Sequence, residues 1–366
     1  MKRILIVKPV MTISRYHFSR TIELSKYFQV TWLIHHYLHK GDVSGYNLHN
    51  HLIVQLGERP RANNFLANNL YLFSFYFKAL KEITSSKYDL ILVHSERLCF
   101  LLPLLNKKSN FVLMLFTASV SGSKIRRYFG NMEERINTVL FKKILVASDW
   151  MTEIYNLRKK IVLATKWGDT RISTNEKIFN EIKMIYLGTL SNRNLHETVE
   201  GLGIFIRDNC QHSIVSYDII GTGKQEYIDM INAKINEYNL NNIVRVHGFL
   251  NDDDIKPFFN KCNLGVAYVP ITEYYTNVVA TKLYEYLLSG MAVIATATNE
   301  NAKIVNKNNG VLIQDNPESF CVGLKNIVNK MPSLSSNRIF VESNNKTIEF
   351  CVKNYVVPVF NKFINS

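Results

Sequence analysis

A lysine and a glutamate lie three residues apart in a helical segment of the chain. Lys282 and Glu285 fall in the run Ala280–Leu288, which Gly290 ends and which an apolar strand at 292–295 follows at once. At helical spacing the two side chains share one face. An ammonium group suits a phosphate, and a carboxylate accepts hydrogen bonds from two neighbouring hydroxyls, so this pair could hold a diphosphate and a diol together. A solvent-exposed ion pair is the alternative explanation of the same spacing.

Three further segments end predicted strands with residues that suit tight turns or ligand contacts. They are Leu187–Asn194, which contains Gly188 and Arg193, Ile219–Gly223, which contains Gly221, and Val244–Leu250, which contains His247. Each precedes a predicted helix, and glycine permits the tight turn that such a junction needs. In doubly wound sheets these junctions meet at the carboxyl edge of the strands, where ligands bind.

Short apolar runs alternate with amphipathic segments along nearly the whole chain, which predicts an α/β fold with parallel sheets and helices on both faces. With 366 residues the chain is too long for one ordinary core. We predict a Rossmann-like domain at 1–168, a linker at 169–182, a second Rossmann-like domain at 183–338 and a helical tail at 339–366. The two domains are expected to face a central cleft, and the tail to pack back toward the N-terminal domain.

The order and spacing of the four motifs resemble the donor-binding half of retaining, nucleotide-sugar glycosyltransferases with the GT-B fold, in the subgroup with a Lys-x-x-Glu-Tyr motif. The resemblance covers residues 183–315, and the first half of the chain matches only in its strand–helix rhythm. It implies that Gly188 lets the backbone approach the donor phosphates. Arg193 and Lys282 would neutralise the diphosphate, and both are assigned to catalysis. Glu285 would bind the ribose hydroxyls.

Two residues of these motifs keep a structural alternative. The resemblance places the segment around His247 at the nucleobase, mostly through backbone groups, while an ordinary strand-end histidine explains the residue equally well. Gly221 is assigned to the nucleotide site on the same basis, but a glycine at such a turn more often serves backbone geometry.

The sequence differs from the commoner family pattern at two places. Many relatives carry two glutamates eight positions apart, but Asn277 stands eight before Glu285, so the resemblance places Asn277 and Val278 at the donor sugar without an acid. Relatives also carry a histidine after a strand of the first domain, where this chain has Phe116–Ser119. His94 ends the preceding predicted strand and is our third catalytic candidate, with an internally bonded strand-end histidine as the alternative.

The acidic run Asp252–Asp254 invites comparison with a metal-binding motif. Its position after Asn251 is typical of a helix N-cap and first turn, because side-chain oxygens and negative charge complement the unpaired N–H groups there. No other His, Asp or Glu cluster has metal-ligand spacing, and the five cysteines include no C-x-x-C pair. We therefore predict no metal, no cofactor other than the nucleotide sugar as co-substrate, and the reduced thiols of a cytoplasmic protein.

The net charge of +14 lies in the first half of the chain. Residues 1–170 hold 25 Lys and Arg against 11 Asp and Glu, beside an apolar, aromatic stretch at 65–80. This combination predicts docking on an anionic membrane surface, with a solvated surface over a core helix as the alternative. Nucleic-acid binding is disfavoured because no RNA- or DNA-binding motif accompanies the charges. No stretch approaches the ~20 apolar residues of a membrane span.

The sequence thus predicts a metal-independent, retaining hexosyltransferase that moves a sugar to a hydroxyl of a glycan or lipid-linked glycan. Its expected setting is bacterial surface-polysaccharide synthesis, of lipopolysaccharide or capsule, in the cytoplasm or at the inner face of the membrane. A nucleotide-sugar epimerase and a non-catalytic glycosyltransferase-like subunit are the alternatives.

Overall fold

The computed structural model describes residues 1–12, 15–38, 52–55, 65–115, 124–146, 148–157, 161–162, 168, 176–209, 214–277 and 281–366. The chain forms two compact units. Unit 1 comprises Met1–Thr165 together with Cys351–Ser366, and unit 2 comprises Lys166–Phe350. The predicted α/β architecture of two doubly wound parallel sheets is confirmed. Among the helices that the structure describes, none has the length and apolar character needed to cross a bilayer.

Unit 1 is built on a sheet of seven parallel strands in its described residues. The strands are Arg3–Thr12 (β1), Gln29–Leu38 (β2), Leu52–Gln55 (β3), Leu90–His94 (β4), Phe111–Leu115 (β5), Lys143–Val146 (β6) and Ile161–Val162 (β7). Their order is β3-β2-β1-β4-β5-β6-β7. Apolar runs such as Ile4–Val7 are buried on both sides, because helices cover both faces of the sheet.

The helices of unit 1 connect these strands. They are Arg15–Ser25 (α1), Phe65–Ser85 (α2), Leu101–Leu105 (α3), Lys124–Leu140 (α4) and Asp149–Ile154 (α5). The connection from β3 to β4 passes over β2 and β1. The next two connections, from β4 to β5 and from β5 to β6, join neighbouring strands and run in the same direction along the sheet. Right-handed crossovers therefore place α2, α3 and α4 on the same face of the sheet.

Unit 2 is built on six parallel strands in the order β10-β9-β8-β11-β12-β13. They are Ile182–Leu187 (β8), Ile214–Ile220 (β9), Val244–Gly248 (β10), Leu264–Ala267 (β11), Ala292–Thr296 (β12) and Gly310–Ile313 (β13). The buried Asn263 fixes where β8 begins. Its Oδ1 accepts from the Lys183 N–H at 2.9 Å, and its Nδ2 donates to the carbonyls of Ile178 at 2.7 Å and Glu181 at 2.6 Å.

The helices that begin in unit 2 follow the same alternation. They are Leu195–Asn209 (α6), Gln225–Glu237 (α7), Asp252–Lys261 (α8), Glu273–Thr276 (α9), Thr281–Leu288 (α10), Asn299–Ala302 (α11), Pro317–Lys330 (α12), Ser336–Ser343 (α13) and Ile348–Cys351 (α14). Helix α8 begins at Asp252, so its three acids lie in the first turn as predicted, although the Asn251 side chain makes no capping hydrogen bond. Gly290, at φ +70°, ends α10.

The last part of the chain is helical but interrupted. A π-helical turn at Val352–Val356 leads into α15 at Val357–Ile364, and Pro358 lies in the first turn of α15. This segment belongs to unit 1, where the Phe363 carbonyl accepts hydrogen bonds from Asn110 Nδ2 and Lys143 Nζ, each at 2.8 Å.

Candidate active site

The carboxyl ends of three strands meet at one point of unit 2. The Gly188 N–H donates to the Ile220 carbonyl at 2.8 Å, and the Gly221 N–H donates to the Gly248 carbonyl at 2.8 Å. These bonds join the ends of β8, β9 and β10. Gly221 has φ +148°, and a Cβ at this position would collide with the Gly188 carbonyl oxygen. Glycine is therefore required at 221 by the backbone itself.

Helix α10 brings Lys282 to this point. A Cβ added to Gly188 would overlap the Lys282 ammonium and would lie 3.0 Å from the Tyr186 hydroxyl oxygen. That hydroxyl donates to the Thr189 carbonyl at 2.7 Å, and burial raises the pKa of the Tyr186 phenol. The ammonium thus lies against bare backbone at the end of β8, next to a neutral phenol.

Arg193 reaches the same phenol from the turn between β8 and α6. Asn192 and Asn194 adopt left-handed conformations, at φ 57° and 53°, which shape this turn. The charge of the Arg193 guanidinium favours the ionised form of Tyr186 and so partly offsets the rise in the pKa of that phenol. The guanidinium carbon lies 4.5 Å from the ring centroid of Tyr275. Its NH1 donates to the Tyr275 hydroxyl and, at 3.2 Å, to the Asn192 carbonyl. Two cations therefore converge beside Gly188, as an anion site requires.

Glu285 lies one turn further along α10 and is only 7% exposed. Gly168 packs against the backbone here, since a Cβ at 168 would lie 2.9 Å from the Glu285 nitrogen. Glu285 therefore does not lie on an exposed face of the helix, and its contact with the ribose hydroxyls stays a prediction.

His247 lies on β10 with its ring turned to an internal carboxylate. Its Nε2 is 2.8 Å from Oδ1 of the buried Asp218, whose Oδ2 also accepts from Lys261 Nζ at 3.3 Å. The ring packs edge to face on Phe258, with centroids 4.7 Å apart. The side chain thus has a structural partner, and its contact with a nucleobase stays a prediction.

The remaining predicted site residues are spread more widely. Asn277 ends α9, where its Nδ2 donates to the Glu273 carbonyl at 2.8 Å and its Oδ1 accepts from Asn299 at 3.3 Å. Val278 lies outside the described residues. His94 lies in unit 1, at the carboxyl end of β4, with its ring stacked 6.4 Å from Trp32. The structure therefore brings together Gly188, Arg193, Gly221 and Lys282, and places His94 on the other unit.

Two residues of the site were missed by the sequence analysis, Tyr186 and Tyr275. Tyr186 stands inside an apolar strand run, where a core role is the ordinary expectation, and Tyr275 stands in a polar connection without periodicity. Their only local signal is proximity to Gly188 and Lys282 along the chain. Within the described part of the chain, no group of three His, Cys, Asp or Glu side chains is arranged to hold a metal ion.

Comparison with solved structures gives full-length matches. Sucrose-phosphate synthase from Thermosynechococcus elongatus superposes with a TM-score of 0.71 at 14% identity, over 100% of both chains. HepE from Anabaena, in a complex with UDP and glucose, superposes with a TM-score of 0.71 at 14% identity, over 99% of this chain and 100% of the HepE chain. The lipopolysaccharide outer core galactosyltransferase WaaB superposes with a TM-score of 0.66 at 14% identity, over 99% of this chain and 100% of the WaaB chain.

The chain has the GT-B fold. At such low identity, these likenesses establish the GT-B architecture and leave the activity to be argued from the site. Residues 181–330 match the family described as "Glycosyl transferases group 1", and this segment contains the whole Gly188, Arg193 and Lys282 cluster. No curated protein sequence matches the chain significantly.

Proposed function

We propose that this GT-B protein is a glycosyltransferase that takes a sugar from a nucleotide-sugar donor. The convergence of Lys282 and Arg193 on the backbone at Gly188, inside the segment that matches the family, carries this proposal. A diphosphate is the part of a nucleotide sugar that needs two cations and close access to backbone. The UDP and glucose bound to HepE, a protein of the same fold, support a donor of this class.

In the proposed reaction, the bond between the anomeric carbon and the diphosphate oxygen breaks, and an acceptor hydroxyl oxygen bonds to the anomeric carbon. Lys282 and Arg193 stabilise the charge that builds on the leaving diphosphate. Glu285 holds the ribose. The acceptor attacks from the face that the diphosphate leaves, so configuration is retained, and the leaving phosphate oxygen takes the hydroxyl proton. The two cations supply the positive charge, so the proposal includes no metal ion.

A donor screen tests this proposal. We would incubate the protein with nucleotide sugars of different base and sugar, and measure nucleoside diphosphate release with and without acceptors. Lys282→Ala should slow turnover on the order of a hundredfold, since removing one such contact costs about 3 kcal/mol of barrier. Lys303→Ala is the matched control, because Lys303 forms a surface ion pair with Glu300 at 2.6 Å.

Three results would contradict the proposal. Absence of donor binding would favour a non-catalytic subunit, and conversion of the donor to an epimer without acceptor would favour an epimerase. Near-wild-type transfer by Lys282→Ala would remove the assigned site.

We propose that unit 1 binds a lipid-linked glycan acceptor, in bacterial surface-polysaccharide synthesis, at an anionic membrane surface. Unit 1 holds 26 Lys and Arg against 10 Asp and Glu, whereas unit 2 holds 18 against 20. A surplus of cations on one compact unit attracts an anionic bilayer, with about 1 kcal/mol for each cation near the surface. The fold shared with a lipopolysaccharide galactosyltransferase supports this setting.

The outer face of α4 is the best candidate for the membrane contact. Four apolar side chains follow one another at helical spacing there and are between 42% and 82% exposed: Tyr128, Met132, Ile136 and Val139. The exposed Arg135 lies among them. Such a stripe with cations is typical of helices that lie in the interface of a bilayer.

Helix α2 adds to this surface, although most of its aromatic stretch is core. Tyr71, Phe75 and Tyr76 are buried, whereas Leu70, Phe73 and Phe77 are exposed on the same helix. Because α2 and α4 cover the same face of the sheet, their exposed apolar side chains lie on the same side of unit 1.

Vesicle co-sedimentation tests this surface. We expect binding to vesicles that contain phosphatidylglycerol, weaker binding as salt rises, and little binding to phosphatidylcholine alone. Met132→Glu should weaken vesicle binding about tenfold, because it removes one apolar side chain that the bilayer would bury and adds a negative charge. Met230→Glu is the matched control, since Met230 is 42% exposed on α7 of unit 2 and Met132 is 44% exposed. Equal binding by both variants, or binding independent of salt, would contradict the proposal.

A further inference from the structure

Arg193 is held by aromatic side chains rather than by an acid. Among its described contacts, the guanidinium stacks over the Tyr275 ring and donates to the Tyr275 hydroxyl. Its charge also acts on the neighbouring phenol of Tyr186, where it opposes the rise in that pKa. Neutral phenols orient a guanidinium without cancelling its charge, whereas a carboxylate partner would compete with an anionic ligand. The guanidinium has five N–H donors, more than these acceptors use.

Tyr275 is itself fixed in place. It lies on the one-turn helix α9, where its backbone N–H donates to the Thr272 hydroxyl at 3.3 Å, and its ring packs edge to face on Tyr274 with centroids 5.1 Å apart. The chain then passes from α9 to α10, which carries Lys282. The part of the chain that follows β11, from α9 into α10, therefore carries both the support for Arg193 and Lys282.

We infer that Tyr275 is a positioning residue for Arg193, which it aims at the diphosphate of the donor. The ring supports the guanidinium plane, and the hydroxyl sets its rotation. The inference rests on the proposed function, because the diphosphate site is the one assigned to the donor. In this inference Tyr275 holds Arg193 in place before the diphosphate binds. That preorganisation lowers the entropic cost of ordering a long side chain on binding.

Nucleotide binding by calorimetry tests this inference. A panel of nucleoside diphosphates identifies one that the wild type binds, and the matching monophosphate serves as the reference ligand. Tyr275→Ala should weaken diphosphate binding about tenfold, through loss of the stacking and the hydrogen bond, with a smaller change for the monophosphate. Tyr275→Phe keeps the ring but removes the hydroxyl, so it should weaken diphosphate binding about threefold. Tyr227→Phe is the matched control, because that hydroxyl donates to Asn192 at 2.5 Å on the same turn.

A double-mutant cycle separates positioning from a general structural role. If Tyr275 acts through Arg193, then Tyr275→Ala should have no further effect on diphosphate binding in an Arg193→Ala background. An additive loss, an equal loss of monophosphate binding, or wild-type affinity in Tyr275→Ala would overturn the inference. A wild-type chain that binds no nucleotide would overturn the proposed function and this inference together.

Discussion

Replacing Gly188 with alanine tests whether Lys282 and the backbone at Gly188 form one anion site. The added methyl would collide with the Lys282 ammonium and would lie 3.0 Å from the Tyr186 hydroxyl oxygen. The end of a lysine side chain can move aside, so we expect a loss of folding free energy below about 1 kcal/mol. The displaced ammonium would lose a charge-assisted bond to phosphate worth about 2 kcal/mol, so diphosphate affinity should fall about 30-fold.

Calorimetry with a nucleoside diphosphate measures the affinity, and urea unfolding measures the stability of the same variants. In a Lys282→Ala background the contact between the ammonium and the phosphate is already gone. Gly188→Ala should then reduce diphosphate affinity by less than about threefold. The reasoning would be refuted by wild-type affinity in Gly188→Ala. A 30-fold loss in both backgrounds would also refute it, because the methyl would then act without Lys282.

Three predictions concern the folding of unit 2 and are checked by urea unfolding. Gly221→Ala should lower the free energy of unfolding by about 3 kcal/mol or more, because the φ of +148° is unfavourable for alanine and its Cβ would collide with the Gly188 carbonyl. A loss well below this value would contradict the predicted collision. Asn263→Ala should lower the free energy of unfolding by about 3 kcal/mol, since it removes hydrogen bonds to three partly buried backbone groups of residues 178–183; an unchanged midpoint would contradict this. Burial lowers the pKa of Lys177 from 10.5 to about 8, so between these pH values the unfolded chain binds a proton that the folded chain has released, and stability should rise with pH. Lys177→Met should flatten that rise between pH 8 and 9.5, and an identical slope in both proteins would count against it.

The strand pattern of unit 2 could be predicted from the sequence because apolar runs and turn residues are local signals. The strand predicted at 292–295, for example, is observed at Ala292–Thr296. A polar residue and a proline, Lys8 and Pro9, interrupt the apolar run of β1, yet the strand continues to Thr12. Residues 10–12 pair with 36–38 of β2, and this distant partner extends the strand past the proline. Proline lacks only its own N–H and does not prevent pairing by the residues after it.

The sequence by itself predicted the two-unit α/β fold and the grouping of Gly188, Arg193, Gly221 and Lys282, because glycine turns and helical spacing are properties of consecutive residues. Only the tertiary structure decided what surrounds those residues. His247 faces Asp218, and Arg193 rests on Tyr275, across separations that no local period encodes. The same periodicity that marks Tyr186 as core also conceals its hydroxyl, which lies beside Gly188 and under the influence of the Arg193 charge in the folded unit.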